Sequence, residues 1–383
     1  MSVWDEVVGQ PDAVAELRAA VADPTQMTHA WLFTGPPGSG RSVAARAFAA
    51  ALQCPRQGCG ECQACRTVLH GTHADVHRVV PEGLSISVAE MRRLVSIAAR
   101  RPSTGSWQIV VIEDADRLTE GAANALLKAV EEPPARTVFL LCAPSDHPED
   151  VSVTIRSRCR LVPLRTPSVA AVAAVLVERD GVDEPTAQWA ASVCGGHVGR
   201  ARRLAGDADA RQRREQVLDV PLRLRGLAEV FEAADALVAS AEAEAAEMSA
   251  ARDAPEREAL ATAMGAGGTG RGVAAAARGA KAAERELERR QRSRATRTQR
   301  DALDRALVGL AGFYRDVLVS LFGADVPLAN PDRTGDIRQA AASWSPESTL
   351  RRLESVLACR EALELNVKPR IAVEAMTTVL SRG

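Results

Sequence analysis

Four cysteines fall within twelve residues, as Cys54-x4-Cys59-x2-Cys62-x2-Cys65. Thiolates are soft ligands, and four of them satisfy a tetrahedral Zn²⁺ at about 2.3 Å. Gly58 and Gly60 permit the tight turns that would gather such closely spaced ligands around one ion. The spacing therefore predicts a bound metal. Zinc is the first reading and an iron–sulfur cluster its rival, because C-x2-C-x2-C runs also hold clusters; free thiols are the third. Zinc here is structural, since four protein ligands leave no open position for a substrate. His70, His73 and His77 follow closely but read as ordinary loop or core residues.

A second chemistry precedes the cysteines. Gly35-Pro36-Pro37-Gly38-Ser39-Gly40-Arg41-Ser42 follows an apolar run and opens a helical one. This is the context of a phosphate-binding loop. Its glycines permit close backbone approach, its amides cradle phosphate oxygens, and the helix N-terminus adds positive potential. Ser42 stands where such loops ligate Mg²⁺. Arg41 stands where they carry Lys. Arginine is planar, bulkier and bonds in a fixed fork, whereas lysine is a compact charge. The loop is expected to hold ATP, ADP or another anion without fast hydrolysis; the alternative is an inherited tight turn that binds nothing.

The third candidate is Glu113-Asp114, after the apolar run Ile109–Ile112. A working site puts Asp first, for the metal, and Glu second, to polarise water. Here the order is reversed. Glu113 is one methylene too long for its place and Asp114 one too short. A misplacement of about 1 Å can cost on the order of 100-fold in rate. The alternative is a pair of solvated carboxylates at a strand end.

These groups need a scaffold. Residues 30–34, 108–112, 137–142 and 161–164 are short apolar runs with helical patterns between them, which predicts a buried parallel sheet. A helical stripe over 120–132 stops at Pro133-Pro134. Three domains are expected: an α/β sheet domain over 1–165 with the cysteine insert at 54–65, a small helical lid over 166–207, and an all-α domain over 208–383. Within the last, residues 262–280, with the run Gly265–Gly272, read as a flexible linker. Leu303, Leu307, Leu310, Tyr314, Val317 and Leu321 line one face of a long helix. Residues 281–300 carry eight basic and three acidic side chains, read as a solvated face, with a patch facing DNA or a partner as the alternative.

Composition narrows the classes. Lys and Arg number 48 against 49 Asp and Glu, so no whole-molecule field draws nucleic acid. Aromatic content of 3% argues against a stacking platform for bases. No apolar run reaches the ~18 residues of a membrane span, and the opening residues have no signal-peptide pattern, so a cytoplasmic chain is expected.

The order of motifs resembles a known family. Val7-Val8-Gly9-Gln10, the phosphate loop, the cysteine insert, Asn124-Ala125-Leu126-Leu127-Lys128 through Glu131-Glu132-Pro133-Pro134, and Ser157-Arg158-Cys159 are similar, over residues 1–205, to bacterial DNA polymerase III clamp-loader subunits of the AAA+ superfamily. Asn366-Val367-Lys368-Pro369-Arg370 resembles the end of their helical collar. The departures at Arg41 and Glu113-Asp114, with Ala143-Pro144 where the motor subunits carry a phosphate-sensing Thr, match the delta-prime branch. The resemblance implies that Arg158 is an arginine finger acting on a neighbour's ATP, with Arg156 the lesser candidate, and that Arg200 is the lid's nucleotide-sensing arginine. It implies an assembly with gamma/tau motor subunits and a delta subunit, and through these the sliding clamp and primed DNA, within the DNA-directed DNA polymerase holoenzyme. The chain's own ATPase is expected to be weak or absent. Two other functions compete: a self-sufficient motor ATPase of the gamma/tau type, and a zinc-dependent nucleic-acid-binding module.

Overall fold

Ala30–Thr34, Gln108–Ile112 and Thr137–Ala143 are buried along their whole length. Strands without polar alternation need cover on both faces, and helices from the intervening segments supply it. The computed structural model describes residues 2–81, 83–263 and 273–383. It divides into two units, Met1–Gly206 and Asp207–Gly383.

In the first unit a 3-10 turn (Val3–Glu6) leads to α1 (Pro11–Ala22), β1 (Ala30–Thr34), α2 (Arg41–Gln53), α3 (Gln63–Leu69), β2 (Val76–Val79), α4 (Val88–Ala98), β3 (Gln108–Ile112), α5 (Glu120–Glu131), β4 (Thr137–Ala143), α6 (Val153–Arg156) and β5 (Arg160–Pro163). The sheet has five strands in the order β2-β3-β4-β1-β5, every pairing parallel. Side chains of successive strand residues point to opposite faces. Trp31, Phe33, Ile109, Val111 and Leu140 thus pack with α1, α2 and α3, while Leu32, Val110, Ile112 and Leu141 pack with α4 and α5. Trp31 meets Phe48 of α2 edge to face, with ring centroids 4.9 Å apart. α5 starts where Thr119 Oγ1 accepts from Ala122 N and stops before Pro133. Three short helices complete the unit: α7 (Val169–Glu178), α8 (Glu184–Val193) and α9 (Val198–Gly206).

The second unit is helical: α10 (Ala208–Arg223), α11 (Leu227–Ala263), α12 (Val273–Phe322), α13 (Thr334–Ser343), α14 (Pro346–Glu364) and α15 (Pro369–Arg382). Leu303, Leu307, Leu310, Tyr314 and Val317 are buried in its core and Leu321 packs against it, as their spacing requires. Gly265–Gly272, read from composition as flexible, lies outside the described residues. Residues 262–263 and 273–280, given to the same linker, are helical, because α11 runs through Ala263 and α12 begins at Val273. The basic run 281–300 is partly spent on α11: Arg294 bonds Asp253 and Glu256, and Arg257 bonds Gln291. Among the described residues no helix is long and apolar enough to cross a membrane.

Candidate functional site

The phosphate loop joins the C-terminal end of β1 to α2. Three of its glycines take positive φ: Gly35 at 153°, Gly38 at 89° and Gly40 at 91°. A Cβ on Gly38 would lie 2.7 Å from His197 Cβ, so the tip of the loop packs against the turn that opens α9. Gln10 ties the loop's base: its Nε2 donates to Ser39 O (3.1 Å) and Arg165 O (2.5 Å), and its Oε1 accepts from Arg165 N. Gly40 caps α2 without a side-chain acceptor, so the N-cap leaves the first helix amides to other partners. Ser39 Oγ and Arg41 Nη1 are buried and lack hydrogen-bond partners among the described residues. Two buried donors without a hydrogen-bond partner, beside helix amides that the N-cap side chain leaves uncapped, fit an anion.

Glu113 is not free to take Mg²⁺. Glu113 follows β3 and is 9% exposed. Its Oε1 accepts from Arg78 Nε on β2 at 2.6 Å, so a guanidinium already holds the group expected to take the metal. Asp114 sits in the left-handed region at φ 56° and has a partner of its own. Burial, reinforced by the Asp114 charge, raises the pKa of Asp116. Cys142 at the end of β4 is buried, and burial pushes its thiol up. Pro144 O accepts from Gly35 N at 3.1 Å. The sequence reading missed Arg78. Its only local signal is a charged residue inside a run that reads too polar for a buried strand.

Arg158 lies at the other end of the sheet. Its neighbour Arg160 pairs with Trp31 at the start of β1, while the phosphate loop follows the end of that strand. At about 3.3 Å per residue the two are separated by on the order of 15 Å. Arg158 Nη2 pairs with Glu131 at 2.7 Å, and Nη1 donates to Thr154 O at 2.9 Å. Both side chains of the ion pair are more than a third exposed, at 38% and 40%. Such a pair contributes about 0–1 kcal/mol and is readily exchanged. Arg156 pairs with Asp146 at 2.6 Å. Arg200, half-buried in the first turn of α9, donates its backbone N to His197 Nδ1 and has a further partner.

The four thiols converge. Their sulfurs all lie within 4.8 Å of one another, with Cys54–Cys59 and Cys54–Cys62 each at 3.6 Å. Sulfurs bound to one tetrahedral ion at 2.3 Å stand about 3.8 Å apart, so the cluster fits a single metal ion. Gln57, Gly58 and Gly60 adopt positive φ, which turns backbone N–H groups onto the sulfurs. Burial opposes ionisation of Cys54, but amides of Cys59, Gly58 and Arg56 outweigh it and lower its pKa. Amides of Glu61 and Cys62 bring Cys59 down to about 6. Cys65 is raised by its burial. The cluster is pinned from both sides. Cys54 ends α2, and Ser2 Oγ, Val3 N and Trp4 Nε1 donate to Gly58 O, Gly58 O and Gln57 O. The three nearby histidines stay apart from it: His70 Nδ1 contacts Arg66 O, His73 Nδ1 accepts from Asp75 N, and burial lowers the pKa of His77.

A parallel sheet with β4 between the phosphate-loop strand and the carboxylate strand is the arrangement of a P-loop α/β domain. Residues 9–168 match the family described as "DNA polymerase III, delta subunit". The chain is 37% identical over 202 residues to the DNA polymerase III subunit delta' of Pseudomonas aeruginosa, covering 51% of this chain and 60% of that one. It is 32% identical over 180 residues to the delta' subunit of Bacillus subtilis (46% and 54% covered), and 34% identical over 161 residues to the tau subunit of that organism (41% and 28%). These matches span less than two thirds of the relatives' lengths. A solved Thermotoga maritima DNA polymerase III gamma subunit-related protein aligns over 97% of this chain and 99% of that one at 15% identity and a TM-score of 0.42. Over residues 9–168 the chain is thus similar to DNA polymerase III subunits of the delta, delta' and tau kinds.

Proposed function

We propose that this chain is a delta-prime-type wall of the replicative clamp loader, with little or no ATPase of its own, which lends Arg158 to the ATP site of a neighbouring gamma/tau motor subunit. The observation that carries this reading is the contrast between the two ends of the sheet. At one end Arg41 replaces lysine and Arg78 occupies Glu113. At the other, a weakly held arginine faces outward where it cannot serve its own loop. A guanidinium on the transferred phosphoryl group offsets charge that develops in the transition state. The zinc reading of the cysteine cluster is supported by sulfur spacing close to that around one ion. Zinc would fix the end of α2 opposite the phosphate loop. The remaining partners are a delta subunit and, through the assembly, the clamp and primed DNA.

Reconstituting the loader with Arg158→Ala tests the proposal. Assembly should survive, and ATPase stimulated by clamp and DNA should fall by about 10³-fold or more at the site that loses its finger. Arg158→Lys should also fail, because the planar fork is lost. Turnover equal to the unmodified loader would remove the finger role. The tau relative keeps a motor reading in view, and steady ATP hydrolysis by the isolated chain that depends on Asp114 would favour it.

A further inference from the structure

In a parallel pair, residues in register point to the same face. The β2–β3 ladder runs Val76↔Ile109 through Val79↔Ile112 and ends with Glu113 N donating to Val79 O at 3.0 Å. Extended by one step, Glu113 stands opposite Val80, and Arg78, two residues back, shares that face. Ile109 and Val111 put it on the side of α2 and the phosphate loop. The edge strand thus delivers a cation to the carboxylate where this fold otherwise places a metal ion. The contact is short, 2.6 Å, the carboxylate side chain is 11% exposed and the Arg78 side chain 40%.

We propose that Arg78 is a built-in substitute for Mg²⁺, so that the phosphate loop takes a diphosphate or nucleotide without a divalent metal. Three features converge on this. A metal at Glu113 would have to displace a guanidinium tethered beside it, which is always charged and competes at high effective concentration. Asp114, at φ 56°, lies in the left-handed region and has a partner of its own. The donors left without a hydrogen-bond partner, Ser39 Oγ and Arg41 Nη1, and the amides opening α2 need no metal to act on a phosphate group. Arg78 then determines specificity: it tunes the site to bare phosphate groups and withholds the metal that hydrolysis would need.

The inference rests on reading the loop as a phosphate site and is independent of Arg158. Calorimetric titration of the zinc-loaded full chain with ADP and with inorganic pyrophosphate, each in chelator-free buffer stripped of divalent cations beforehand and in the same buffer with Mg²⁺, tests it. Wild-type affinity should agree within about twofold between the two conditions. Arg78→Gln, confirmed folded by thermal unfolding, should become metal-dependent, with Mg²⁺ tightening ADP by about tenfold or more. Arg78→Lys should stay metal-independent. Adding Glu113→Gln to Arg78→Gln should abolish the acquired dependence. Wild-type binding that needs Mg²⁺, an Arg78→Gln variant as metal-insensitive as its parent, or no binding of either ligand by the wild type would each overturn the proposal. A loader indifferent to Arg158→Ala would sink the finger while leaving these titrations untouched.

Discussion

At the scale of residues, the site depends on side chains that never touch it. Asp75, 2% exposed, accepts from the backbone and hydroxyls of Ser103 and Thr104 and from Gly105 N, so one carboxylate organises the loop leading into β3. Burial alone would raise its pKa, but these donors reverse that and hold it well below the usual range. A depressed carboxylate stabilises the fold above its unfolded value, about 3.9, and the contribution is lost as pH falls towards the native value. Asp75→Asn should cost about 1–3 kcal/mol near neutrality. Urea unfolding of both proteins should show the gap closing below about pH 4; a gap that persists there would mean the charge is irrelevant. The donors come from residues 28 to 30 positions away, which explains why composition near Asp75 gives no hint of it. Arg78 was hidden for the same reason. Cys54, Cys59, Cys62 and Cys65 were legible because their ligand set is local in sequence.

Elements were legible in proportion to their burial. The apolar runs that became β1, β3 and β4 are buried on both faces and declare themselves without alternation. β2, Val-His-Arg-Val, lies at the sheet edge with mixed burial and is not among the apolar runs that predict the sheet. In the helical unit, the stripe from Leu303 to Val317 was visible as periodicity. The tie from the basic run 281–300 to α11 was not legible, because the acids that Arg294 meets, Asp253 and Glu256, stand on another helix. Arg294 is 12% exposed, with Glu256 Oε2 at 2.7 Å. Arg294 bonding, more than the opposing burial, brings Glu256 down to about 2. Its stabilisation is present above the free glutamate value, about 4.3, and disappears as pH falls through about 2. Arg294→Ala should loosen the α11–α12 pair by about 1–3 kcal/mol, because it leaves two part-buried carboxylates facing each other. Hydrogen exchange should quicken around Asp253–Glu256 while α14 stays protected; uniform exchange across the unit would instead indicate global unfolding.

At the scale of the whole chain, the buried clusters respect the division into units. The clusters around the sheet draw every buried residue from Val3 to Leu164, and the helical cluster draws its own from Leu218 to Leu380. A core closed within one unit can form without the other. The four thiols belong to the first unit alone, joined to its core through Cys54 and Cys65. Metal binding free energy is folding free energy for the segment that carries the ligands. Its loss should therefore be felt on one side of Gly206 only. Scanning calorimetry of the zinc-loaded chain, before and after a strong chelator, gives the test. One transition should fall by about 10 °C, the shift expected for the loss of about 3 kcal/mol or more in a unit of this size. The other should match a separately expressed 207–383 fragment and ignore the chelator. Cys62→Ser should reproduce the chelator's effect, because three thiols cannot close a tetrahedral site. If both transitions dropped together, the metal would be holding more than the cysteine cluster and the end of α2. If neither moved, the four sulfurs would contribute nothing to the fold.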